Sequence, residues 1–511
     1  MYLPKSITFS LTLWVSGLLL ISPPAFTAFV DQPTLLKGAA AQELREHIMH
    51  NRPSPSPGVD DPNLRIETVY EGLELPTSMA FLGVDDILVT EKDSGRVQRV
   101  VNGELQEQPV IDVQVANNDE RGLLGIDISN TNGTGTNNQR YVFLFFTESG
   151  GGEDGDDWSE GIEPSGTRLY RYNIAQGSGG LQLTNETLLL DLPATPGPRY
   201  HGGPVAIGPD NNVYVVIGTV DHHETQAQNF EDGPPPDGTS GVIRIPQDGQ
   251  SANIQGIISD EIPLNLYYGY GMRQSFGMEF DPVTGNLWDT ENGPDNYDEL
   301  NLVEPGFNSG WRDLSGLAER AGDVDIEEDL VYFDGRGRYS DPEFTWQQTV
   351  APTGLDFLNS SALGAAYQND LFVGDYNNGN LYHFDLNENR TQLILGGGLA
   401  DRALDPGDEV DDILFGTGFG GIADVKVGPD GYLYILTFQN DGGSIFRIVP
   451  AGLSTTDVDD GDEAEEEVET STTDDGDEAE EEVEVETADN TGIPNLGQIL
   501  AERITGAPTF N

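Results

Sequence analysis

Residues 268–312 read YGYGMRQSFGMEFDPVTGNLWDTENGPDNYDELNLVEPGFNSGWR. A strand begins at Gly277–Phe280, the turn Asp281–Gly285 follows, and Leu287–Glu291 returns. In the turn, Pro282 presets one backbone angle and Gly285 tolerates a positive one, which closes a hairpin. The same cassette of turn, apolar strand, turn and second strand recurs along the chain. It stands as GPDNNVYVVIG at 208–218, YQNDLFVGDYNNGNLYHFDL at 367–386 and GPDGYLYILTFQNDGGSIFRI at 428–448, with an earlier copy from residue 86. Self-similar hairpins spaced irregularly by roughly 50–80 residues describe the blades of a β-propeller with variable loops. The fold class read from these cassettes is all-β, with residues 65–70 as a strand that closes the ring against the last blade.

Composition supports short strands over long helices. The 511 residues include 63 Gly and 31 Pro spread along the chain, and a body this long without a second compositional class suits a propeller, barrel or solenoid. No cysteine is present, which excludes disulfides, thiolate metal sites and cysteine nucleophiles. The formal net charge is −64; residues 457–489 hold 19 of the 88 acids and no base, so the remainder still has 69 acids against 24 bases. Such a surface repels nucleic acid and anionic membranes, and excludes them as partners.

The termini differ from the body. Lys5 precedes an apolar run over residues 7–21, then Pro23-Pro24 and small residues to Ala28, which reads as an export signal over 1–28. Membrane attachment is expected only if that segment stays uncleaved, since the run is short of the roughly 20 residues of a span. The protein is therefore expected to be secreted or at the cell surface. Residues 29–63 read as a Pro-rich linker, 64–452 as the propeller, 453–492 as a disordered acidic tail built on a repeated DDGDEAEEEVE, and 493–511 as a short helix.

The motifs resemble the soluble glucose/sorbosone dehydrogenase family, the pyrroloquinoline-quinone-dependent aldose sugar dehydrogenases. The match is carried by Arg273–Gly277, the D-P-x-T-G-x-L-W hairpin at Asp281–Trp288, Gly293-Pro294, D-E-L-N at Asp298–Asn301 and G-F-N-S-G-W at Gly306–Trp311. ERGLLG at Glu120–Gly125 and A-P-T-G at Ala351–Gly354 add to it. The resemblance implies a six-bladed propeller and a small-molecule sugar substrate, an aldose or polyol, oxidised with a quinone cofactor and calcium.

It also implies site residues. A histidine takes the proton from the sugar hydroxyl, a task suited to a side chain titrating near neutrality. His201 in RYHGGP is the candidate, with Tyr200 at that place if the register carries no gap. Arg273 would join the catalytic and cofactor site, Glu120 stands where the family has a glutamine, and the carbonyls of Gly293 and Pro294 would hold calcium. The Lys and paired Arg that hold the quinone carboxylates in the family are replaced in the stretches Asp375–Asn378 and Gly421–Asp424, leaving Arg121, Arg312 or Lys426 to compensate. Trp158, Trp288, Trp311 and Tyr297 are candidates for an aromatic sugar contact, and Asp221-His222-His223-Glu224 for a polar loop or a metal site. Two other functions are compatible with the sequence: a non-catalytic carbohydrate- or protein-binding propeller, and a calcium-dependent lactonase-like hydrolase using Glu120, Asn292 and Asp298.

Overall fold

The computed structural model describes residues 56–129, 140–177, 180–221, 223–251, 254–407, 410–438 and 442–452. The expected export segment, acidic tail and C-terminal helix lie outside them, as does His222. Among the described residues the only α-helix spans Ile326–Asp329, and nearly everything else is strand or loop. The protein is an all-β propeller.

The described strands fall into six sheets. Each sheet has an inner strand, and in chain order these are Pro76–Gly83, Leu123–Ile128, Val205–Ile207, Ser275–Phe280, Pro352–Phe357 and Ile422–Val427. Each inner strand touches the next, and the last returns to the first, so the sheets form a closed ring. Closure is made by the N-terminal strand: Leu64–Leu73 pairs antiparallel with Gly443–Pro450, Leu64 opposite Pro450. Just before it, Gly58–Val59 pairs with Leu414–Thr417, so one short segment is sewn to two neighbouring sheets.

The hairpin decoded from residues 268–312 forms as expected, Ser275–Phe280 pairing with Leu287–Glu291 and that strand with Asp298–Val303. Strands are buried on both faces, as in Asn212–Ile217, because every sheet is covered by two others. The aliphatic and aromatic residues accordingly gather in clusters between sheets: Phe143, Val215 and Tyr267 meet in one of them, Trp288, Phe344 and Phe357 in another.

Close approach near the axis demands glycine. A Cβ on Gly125 would lie 2.0 Å from the Gly203 carbonyl oxygen, and one on Gly277 2.0 Å from that of Thr353. Acidic side chains then lace neighbouring inner strands together. Asp127 accepts from its own neighbour Ile128 N (2.6 Å) and from Ile207 N of the next sheet (2.9 Å). Asp356 repeats the arrangement with Phe357 N and Val427 N, and Asp424 with Val425 N and Met79 N. Each bond satisfies a backbone donor that the sheet ladder leaves unpaired.

Candidate functional site

The inner strands and the loops above them enclose a cavity of about 1640 Å³. Its wall includes Thr77, Lys92, residues 117–120, Gly202 to Val205, Phe276 to Met278, Asn292 and Lys426. The stretches that the sequence placed in the site, ERGLLG, RYHGGP, MRQSFG and APTG, therefore do converge on one space, because each begins or precedes an inner strand.

Glu120 stands on that wall. Its Oε2 accepts from Tyr200 N at 2.6 Å and from Gln274 Nε2 at 2.8 Å, and Gln274 Oε1 in turn accepts from Gly202 N at 3.1 Å. Burial pushes the Glu120 carboxyl up to about 7, with Asp119 adding to the rise; the Tyr200 N–H, Arg273 and Arg199 pull the other way. A carboxylate with that affinity takes and returns protons near neutral pH.

Arg273 sits behind the wall rather than on it. Its Nη1 donates to the carbonyls of Asn292 (2.8 Å) and Gly293 (2.9 Å), its Nη2 to Tyr200 Oη (2.9 Å), and its guanidinium lies 4.4 Å over the Tyr200 ring. The Gly293 carbonyl expected to hold calcium thus accepts one guanidinium N–H, with its second lone pair left over. The turn itself is anchored by Asp298, which accepts from Gly293 N (2.8 Å), Val350 N and Ala351 N (2.7 Å each). No polar contact fixes a role for Pro294 beyond that turn among the described residues.

His201 lies away from the cavity wall and is completely buried. Its Nε2 is 3.1 Å from the Gly197 carbonyl, which only accepts, so Nε2 carries the proton and Nδ1 accepts from Thr167 Oγ1 at 3.0 Å. Burial draws its pKa down to about 3, and the Arg121 charge adds to that; the Gly197 contact opposes it. Both ring nitrogens are engaged in holding the RYHGGP loop, and it is Tyr200 that stands beside Arg273 and Glu120.

The three cations that could have replaced the missing ones are spoken for. Arg121 is paired with Asp157 at 2.8 Å and donates to the carbonyls of Ala194 and Gly197. Arg312 contacts Glu224 at 3.2 Å. Lys426 does reach the cavity, but its Nζ lies 2.7 Å from Glu279. Burial alone would lower the affinity of this ammonium for its proton; Glu279, Asp424, Asp356 and Asp127 outweigh that and hold it well above the usual lysine range. Asp127 and Asp356 are themselves pushed by burial up to about 7.

A second buried polar group lies between the third and fourth sheets. Asp289 and Glu291 on one strand face Asn301 and Glu299 on the next, in direct cross-strand pairs. Ser309 Oγ donates to Glu291 at 2.6 Å and reaches Glu299 at 3.3 Å, while both Asp289 oxygens lack a hydrogen-bond partner although the residue is fully buried. Glu291 also accepts from Arg273 N at 2.7 Å and Glu299 from Gly316 N at 2.5 Å, so backbone N–H groups hold two of these carboxylates, and the three do not converge on one point as a ligand set would. The D-E-L-N motif was a signal for the place, but only the sheet register shows that Asp289 joins it.

Of the aromatic candidates, Trp288 and Trp311 are buried core residues and Tyr297 sits in a turn with φ near 60°, whereas Trp158 is on the cavity wall. His223 faces Asp237 at 3.1 Å. Sequence reasoning did not single out Lys92 or Gln274, both of which surround Glu120 or the cavity wall; Gln274 lay unread inside the MRQSFG turn.

A family model described as Glucose / Sorbosone dehydrogenase matches residues 73–447. An uncharacterised protein of Synechocystis is 28% identical over 405 residues, covering 75% of this chain and 86% of its own length. The aldose sugar dehydrogenase YliI of Escherichia coli is 23% identical over 391 residues, covering 76% and 93%. Among solved structures, the PQQ-bound form of an aldose sugar dehydrogenase from Streptomyces coelicolor superimposes with a TM-score of 0.53 at 21% identity, over 78% of this chain and all of its own, a likeness of fold.

Proposed function

The chain belongs to the glucose/sorbosone dehydrogenase family, and on that premise we propose that its central cavity binds an aldose or polyol outside the cytoplasm, with Glu120 accepting the proton of the hydroxyl that is oxidised while an uncharged quinone accepts the hydride from its carbon. The observation that carries this reading is the Glu120 carboxylate on the cavity wall, oriented by Tyr200 N and Gln274 and raised to about 7. Gln274 and the Tyr200 backbone fix one carboxylate oxygen, which leaves the other to meet a ligand hydroxyl. Arg273 holds Tyr200 from behind through ring and hydroxyl, so it acts as a positioning residue.

The tricarboxylate quinone of the family does not fit this lining. Glu74, Asp93, Asp119, Glu120, Asp154 and Asp424 face the cavity against two ammonium groups, Lys92 and Lys426, and each of those is already beside a carboxylate. A tri-anion placed there would be surrounded by its own sign of charge in a partly dry space, where repulsion is screened least. No step is therefore derived through it. Calcium, which the family resemblance implies, would meet a Gly293 carbonyl that already accepts one N–H from Arg273.

The test is a sugar-dependent dye-reduction assay run in three arms: with pyrroloquinoline quinone and calcium, with an uncharged quinone, and with neither. Calorimetric titration of the same sugars runs alongside. We expect sugar binding and a larger rate with the uncharged quinone than with the tri-anion. Binding without reduction in any arm would favour the second reading, a carbohydrate-binding propeller without turnover, which the acidic lining supports. Absence of binding by every aldose and polyol would defeat both.

A further inference from the structure

Trp158 keeps 56% of its surface exposed, while Trp288, Trp311 and Trp346 are buried. An indole left in water gives up the burial through which aromatic side chains usually contribute to folding. It stands on the cavity wall, at the end of the short turn Asp156–Trp158. The core does not account for that position.

The loop beneath it is stiffened by three nearby carboxylates. Asp154 accepts from Val115 N at 2.9 Å, and Asp156 accepts from Ser149 Oγ at 2.6 Å and from Gly151 N. Asp157 accepts from the N–H groups of Asn117 and Asn118 with one oxygen and from Arg121 with the other, an ion pair whose side chains are 0% and 5% exposed. Arg121 is tied in turn to the 194–197 loop. The indole is oriented as well, since Nε1 donates to Asn117 Oδ1 at 2.8 Å, and Asn117 Nδ2 donates to Asp93 O at 2.8 Å. With its only polar atom used, the ring offers the cavity an apolar face, held in place before any ligand arrives. Pre-ordering of this kind lowers the entropic cost of binding.

Asp93, Asn117, Asn118 and Asp154 share that part of the wall. An aromatic plate rimmed by carboxylates and amides matches a pyranose, whose C–H face is apolar and whose edge carries hydroxyls. The cavity, at about 1640 Å³, also exceeds the roughly 300–1,000 Å³ of most small-molecule sites.

We propose that Trp158 is a stacking platform for a second sugar unit, beyond the one whose hydroxyl meets Glu120, so that the protein prefers oligosaccharides to monosaccharides. This rests on the sugar-binding reading above. The test compares D-glucose with maltotriose and cellotriose by calorimetry on the full chain, in wild type, Trp158→Phe and Trp158→Ala. A trisaccharide should bind the wild type more tightly than glucose, and Trp158→Ala should lower that preference roughly tenfold, as loss of an anchoring aromatic does, with Trp158→Phe in between. Acrylamide quenching of the exposed indole should be blocked by the trisaccharide and not by glucose. Equal trisaccharide preference in wild type and Trp158→Ala, or quenching that no trisaccharide blocks, overturns the platform while leaving the sugar site standing. Failure of all three sugars to bind the wild type removes both.

Discussion

Replacing Lys426 with Met should destabilise the propeller, and more so at pH 8 than at pH 5. The ammonium lies 2.7 Å from Glu279, and removing one member of a buried pair costs about 3–5 kcal/mol because the other charge is stranded. The side chains keep 19% and 22% of their surface toward the cavity, so water softens the loss and about 3 kcal/mol is the expected figure at neutral pH. At about 2 cal/mol/K of unfolding entropy per residue, a domain spanning residues 64–450 would lose roughly 4 °C in Tm. The pH dependence follows from Asp127 and Asp356, both raised to about 7 from an ordinary 3.8. Groups raised on folding favour the folded state while protonated, and that contribution fades as pH climbs from near 4 through about 7. Above 7 both are ionised and depend on Lys426; at pH 5 both are neutral and no longer need its charge. Thermal unfolding followed by circular dichroism at the two pH values reads the effect directly. Adding Glu279→Gln to Lys426→Met should restore part of the loss, since an amide strands no charge. An unchanged Tm, an equal loss at both pH values, or a double variant no better than the single one would refute the account.

Three further outcomes follow from the site. Activity or sugar-linked proton uptake should rise with pH through about 7 as Glu120 ionises, and Glu120→Gln should lose that limb together with most turnover while still binding sugar; a limb that persists in Glu120→Gln would assign it elsewhere. His201→Asn should cost about 1–3 kcal/mol, the range for buried donors and acceptors left unmatched, yet retain turnover in the folded fraction; an inactive, stably folded His201→Asn protein would return the proton-accepting role to the histidine. Calcium, the ion that the family resemblance implies, should raise the Tm of the wild type when added back after chelation, measured by scanning fluorimetry, and an unchanged Tm would remove the ion from the reading.

The fold was legible because its signals are local. GPDNNVYVVIG and DPVTGNLW each carry their own turn residues and strand alternation within about ten positions. The closing strand was legible over residues 65–70, at the opposite end of the chain from its partner, and it runs from Leu64 to Leu73. The site was half legible: the segments that meet around the cavity could be picked from their motifs, but which side chain faces it could not. Residues 199–204 show why. Tyr200 takes up a positive φ and turns the chain so that His201 drops beneath Thr167, a contact fixed by a strand 34 positions away. Lys426 read as a spare cation because the carboxylates that claim it come from four different inner strands. The aspartates of the acidic run at 153–157 are likewise committed, to backbone N–H groups, the Ser149 hydroxyl and Arg121, all brought in by the fold. Periodicity carries no record of such pairings.

The strand that closes the ring also sets when the protein can fold. Leu64–Leu73 has no permanent neighbour until Gly443–Pro450 exists, and Arg447 bonds Glu67 across 380 positions of chain. Until the last sheet is made, the first residues of the domain remain without their partner, and contacts this distant in sequence form slowly. A chain still being synthesised would therefore stay open, and the ring would lock only once its last sheet exists.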